Sequence, residues 1–168
     1  MKIAFLSLLL SFSFFSRAQT VSYTDVAVII NDNSQISIDI GNYFQSARNI
    51  PSQNMIHVLS PTTENINSLE FEQMRAQIES HLVSNGIADS INYLVTTKGV
   101  PLKVNGGCVL DPSSNSSCAS VDSELALILG PLSNSIGLSG QVVNPVYADT
   151  SNFDRESAGI YLVTRLDG

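Results

Sequence analysis

The chain has 168 residues, 43% of them hydrophobic and 14% charged, and its 15 acidic side chains outnumber eight lysines and arginines for a formal charge of −7. That length supports one sizeable core and fits a single domain. The acidic balance argues against a nucleic-acid partner, since affinity for a phosphate backbone comes largely from Lys and Arg displacing counterions.

Met1-Lys2 is a basic start, residues 3–15 are apolar and serine-rich, and Ser16-Arg17-Ala18 places small residues where a signal peptidase reads. An export signal over residues 1–18 is expected, with 19–168 as a single exported α/β domain, periplasmic, envelope-associated or secreted. The apolar stretch is shorter than the roughly 20 residues that span a bilayer as a helix, and no later stretch is longer, so no membrane span is predicted. Cleavage removes Lys2 and Arg17; the eight cations less these two leave six against 15 acids, a formal −9.

Val26 to Ile30 is apolar throughout and mostly β-branched, stopped by Asn31-Asp32-Asn33. It reads as a parallel strand buried on both faces. Ile36, Ile40, Phe44 and Ala47 then recur at helical spacing from a start at Ser34 or Ser37, with Asn49 suited to the left-handed turn that ends a helix and Pro51 preventing its resumption. Met55 to Leu59 is a second strand. Asn67 and Glu70 have capping-box spacing ahead of a stripe of Phe71, Met74, Ile78 and Leu82, which stops at Asn85-Gly86.

Ile91 to Thr96 is a third strand, and strands alternating with helices predict right-handed crossovers. Cys108 and Cys118 bracket a turn-rich loop and are expected to pair as one disulfide, worth on the order of 2 to 3 kcal/mol for so short a loop. They lack CxxC spacing and a neighbouring His, so no metal is predicted, and no cofactor is legible. Asn115-Ser116-Ser117 matches a glycosylation sequon. Ser120 to Leu129 reads as a short helix capped by Ser120 or Asp122. Leu132 to Gly159 lacks periodicity and is expected to form a partly ordered excursion over the sheet edge. Ile160 to Thr164 is a fourth strand. The fold class is therefore α/β: a mainly parallel sheet of about four strands in order 2-1-3-4, helices on both faces, apparently truncated at the C-terminus because the last strand has no covering helix after it.

The tetrapeptide Tyr-Leu-Val-Thr occurs at residues 93–96 and again at 161–164, followed in one case by Thr97-Lys98-Gly99 and in the other by Arg165-Leu166-Asp167-Gly168. As parallel strands of one sheet they end on one edge, where open α/β sheets bind ligands. Asn31, Asp32, Thr97, Lys98, Gly99, Arg165 and Asp167 are the candidate ligand-binding residues, and a small polar or anionic molecule is the candidate ligand.

Asp122 and Glu124 are candidate catalytic carboxylates for a hydrolase, handling protons or a divalent metal. At positions i and i+2 they do not face the same side of a helix, and acids in a first turn are favoured by the helix dipole without any catalytic role. A third possibility is a non-catalytic module in which Lys98 and Arg165 tie loops to acids. His57 and His81 stand beside no nucleophile in sequence, and no GxSxG, HExxH or Walker-type phosphate loop is present.

The segments ARNIPSQNMIHV, YLVTTKGVPLKV, SVDSELALIL, NPVY and YLVTRLDG together resemble an exported bacterial family of unassigned activity. The likeness runs from about Val26 to Gly168. It implies export and a common α/β domain, and marks Asn31, Pro51, Lys98, Gly99, Pro101, Asp122, Glu124, Arg165, Asp167 and Gly168; family members continue beyond the LDG motif. At the level of architecture the chain is also similar to gingipain and caspase-like peptidase domains, which place His and Cys after adjacent parallel strands. Here those strand ends carry Lys98 and Arg165 and the cysteines lie elsewhere, so a Cys–His peptidase is not expected.

Overall fold

A computed structural model of the chain describes residues 21–105, 120–130 and 151–167. The expected export signal, the Cys108–Cys118 pair, the sequon at Asn115 and most of the Leu132–Gly159 stretch lie outside the described residues.

Four parallel strands make the main sheet: β1 (Val26–Asn31), β2 (Met55–Val58), β4 (Tyr93–Thr97) and β6 (Leu162–Leu166), in spatial order β2-β1-β4-β6. This is the second-first-third-fourth order that the alternating pattern predicts. Two further strands, β3 (Asn65–Asn67) and β5 (Lys103–Asn105), pair in parallel as a separate ribbon. They are too short and polar for periodicity to reveal.

Strand β1 divides the core by alternation. Ala27 and Ile29 face a large cluster with Phe71, Met74, Ile78 and Leu82 of α2 (Ser68–Ser84), Leu94, and Val121 and Leu125 of α3 (Val121–Leu125). Val26, Val28 and Ile30 face a smaller cluster with Ile50, Met55, Val95, and Ile38 and Phe44 of α1 (Gln35–Arg48). Helices therefore cover both faces. Gly41 of α1 lies directly against the Ile30 side chain, where a Cβ would not fit, so helix and strand approach closely.

The helix boundaries follow local chemistry. Asn49 ends α1 with φ 53°, the left-handed conformation its short polar side chain tolerates. Asn67 and Glu70 form a reciprocal capping box at the start of α2. Strands β4 and β6 begin later than their apolar runs do, because the chain before each is engaged elsewhere. The amide of Ile91 donates to the carbonyl of Ile87, and the amide of Tyr161 donates to Ala126. Residues 155–158 form a one-turn helix, α4 (Arg155–Ala158), inside a stretch without helical periodicity. It is held by Arg155, which pairs with Asp89 at 2.7 Å, donates to Leu129 and lies over the Tyr161 ring.

The repeated tetrapeptides are neighbours, but staggered. Tyr93 pairs with Leu162 and Thr96 with Arg165. A one-residue shift sends equivalent side chains to opposite faces. Tyr161 enters the large cluster, whereas Tyr93 packs on the small one and against Phe153.

Candidate functional site

The carboxyl ends of β1, β2, β4 and β6 share one edge, and four linked groups of polar contacts organise it. Asn31, fully buried at the end of β1, uses its whole side-chain amide internally: Nδ2 donates to the carbonyls of Pro61 and Gly99, and Oδ1 accepts from the amides of Asn33 and Ser60. It ties the loops after three strands together, which matters because an unsatisfied buried amide is costly.

Beside it, Thr97 donates to the Ile29 carbonyl at 3.0 Å, which leaves Ser37 to donate its hydroxyl proton to Thr97 while accepting from the Asn31 amide. This buried chain fastens the first turn of α1 to β1 and β4. Gly99 follows at φ 100° with its Cα against Ser34 and Ser37, a position closed to any side chain both by backbone conformation and by space.

Arg165, its side chain only 10% exposed, forms the third group. Its guanidinium donates to both carboxylate oxygens of Asp122, at 2.6 and 3.1 Å, and to the carbonyls of Val100 and Pro101 at 2.9 and 3.0 Å. Asp122 also accepts from Thr96. Such a planar, forked cation suits this fourfold demand, and Lys would not. Asp122 thus points at the sheet edge, whereas Glu124 on the same short helix is buried at 3% exposure against α2. Burial raises the Glu124 pKa, helped by repulsion from Glu72 and opposed by Arg75; its Oε2 has no hydrogen-bond partner among the described residues. The two candidate catalytic carboxylates are therefore not brought together.

Finally, His57 near the end of β2 and Asp32 just after β1 pair at 2.6 Å, both well exposed. His81 instead meets the Gln53 carbonyl. No group of three or more metal-ligating side chains occurs among the described residues.

Between these groups opens a cleft of about 460 Å³ lined by Ser34, Thr62, Thr63, Glu64, Lys98, Gly99, Arg165 and Asp167, with Ile36, Val100 and Leu102. Lys98, Arg165 and Asp167 line it together. Asp32 and Thr97 are not among its lining residues, and Asn31 holds its loops from beneath. No ion pair of Lys98 is found among the described residues. No protein-family model matches the chain, nor does any curated protein or solved structure.

Thr62, Thr63 and Glu64 were not among the candidate residues, since they lie in a connection without hydrophobic periodicity between the second strand and the second helix. What positions them is the β3–β5 ribbon: the Glu64 carbonyl accepts from the amides of Leu102 and Lys103, bringing the loop after β2 alongside the loop after β4.

Proposed function

We propose that this domain binds a small polar ligand with an anionic group in the cleft at the carboxyl ends of its parallel strands, and that Lys98 is the cation that meets it. The observation that carries this reading is an exposed ammonium, without an ion-pair partner among the described residues, on the wall of a cleft whose neighbouring cation is consumed internally. Arg165 braces the wall: with Asp122 and two carbonyls satisfied, it offers the cavity little free donor capacity.

The α1 N-terminus favours the same sign of ligand. Its first backbone bond runs from Ile38 to Ser34, so the amides of residues 35–37 have no backbone acceptor among the described residues, and no acid occupies the first turn. Export of the mature chain, and its residence in an envelope layer or outside the cell, belong to this proposal on the strength of the N-terminal sequence.

Binding is preferred over hydrolysis because Asp122 is neutralised by Arg165 and Glu124 faces α2, leaving neither at the cleft. The purely structural reading suits Arg165, but not Lys98.

Substituting Lys98→Met separates the two. A ligand-binding role predicts a melting temperature within about a degree of the parent, since surface changes away from buried features cost under about 0.5 kcal/mol, together with loss of anion binding followed by amide chemical shifts at Gly99 and Ser34. A clear drop in melting temperature with no anion-dependent shift in the parent protein would favour a tie between loops.

A further inference from the structure

The cleft is not uniformly cationic. With Arg165 neutralised by Asp122, the charges left on its walls are Lys98 on one side of the balance and Glu64 and Asp167 on the other, all three exposed. No ion pair joins Lys98 to either acid among the described residues, so the opposite charges have not collapsed on one another. Each is set by backbone. Glu64 follows from the two amides that its carbonyl accepts, and Lys98 and Asp167 from the Lys98 amide donating to Leu166 at 2.8 Å across the β4–β6 junction. Preformed charges of both signs in one concavity select by complementarity, and like-charge juxtaposition rejects the wrong partner. A compact polyanion such as phosphate would gain Lys98 but face two carboxylates on a chain of net charge −7.

From this charge arrangement, and resting on the anion-binding reading above, we infer that the cleft takes zwitterions: small molecules carrying a carboxylate for Lys98 and an ammonium for Glu64 and Asp167, of the amino-acid or short-peptide class. A volume of about 460 Å³ is in the range of small-molecule pockets, and larger than one free amino acid fills. Separated charges therefore fit better than adjacent ones. The apolar side chains of Ile36, Val100 and Leu102 are placed to meet the carbon skeleton between them.

The test is a chemical-shift titration of the full chain with acetate, methylammonium, inorganic phosphate, glycine, β-alanine, γ-aminobutyrate and glycylglycine. The expected result is that at least one zwitterion binds about tenfold or more tightly than acetate or methylammonium, a difference of about 1.4 kcal/mol, with shifts centred on Lys98, Gly99 and Glu64. In the double variant E64Q/D167N that preference should vanish while acetate binding persists, and Lys98→Met should abolish both. If acetate or phosphate binds as tightly as every zwitterion, or the double variant keeps the preference, the zwitterion class is overturned and the anion reading survives. If no probe shifts these amides, both fall.

Discussion

Arg165 shows how far one residue's meaning depends on its neighbours. As a cation in an acidic chain, just past a strand, it looks like a ligand contact; with a carboxylate and two carbonyls around it, it is a clamp holding α3 and the loop after β4 to the end of β6. The fork, not the charge, is what that role needs. Arg165→Lys should therefore cost about 1 to 3 kcal/mol in urea unfolding, less than the roughly 3 to 5 kcal/mol lost on breaking a fully buried pair because Asp122 is partly exposed and Lys keeps the charge; a cost below about 0.5 kcal/mol would show that the charge alone suffices. Asn31 is a similar case. Its place where the first strand stops was legible, one residue early because β1 includes it, but its hydrogen bonds to Pro61, Gly99 and Ser60 were not, because those partners lie 29 to 68 residues away in sequence. Lys98 differs from both in lacking an ion-pair partner among the described residues, and so remains the residue most open to a ligand.

At the scale of elements, short-range chemistry was the most readable. The Asn67–Glu70 box sits where its spacing placed it, and Asn49 adopts the left-handed turn that ends α1, since each depends on residues within one or two turns. Asn67→Ala should accordingly lower stability by about 1 kcal/mol, measured by denaturant unfolding, with Glu70→Ala on that background adding little because the two side chains cap reciprocally. Full additivity of the two losses would refute the reciprocal box. The ribbon of β3 and β5 escaped notice because three-residue strands carry no usable periodicity, yet it is what brings Glu64 to the cleft. Helix α3 divides its acids as their spacing required, Asp122 outward to Arg165 and Glu124 inward.

For the whole molecule, that inward acid links protonation to stability. The Glu124 pKa is raised above its ordinary 4.5, chiefly by burial. As pH rises from that value, the unfolded chain releases this proton before the folded one does, so its contribution is fully present below the unfolded pKa and is lost as pH passes through the raised folded value. Glu124→Gln should remove this loss, making the variant more stable than the parent at pH 7, with the advantage shrinking as pH falls toward 4.5. Equal or lower variant stability at neutral pH, in thermal unfolding across that range, would refute it. By itself the sequence determined the α/β class, the order of the four main strands and the ends of α1 and α2, because alternation, helical spacing and capping are local properties of adjacent residues; α3 stops at Leu125, short of the expected Leu129. Only the tertiary structure decided that the twin tetrapeptides pair one residue out of step, that Arg165 is spent on Asp122, and that Thr62, Thr63 and Glu64 border the same cleft as Lys98. Each of these depends on which loops the sheet brings within hydrogen-bonding distance, and chain separation conceals that proximity.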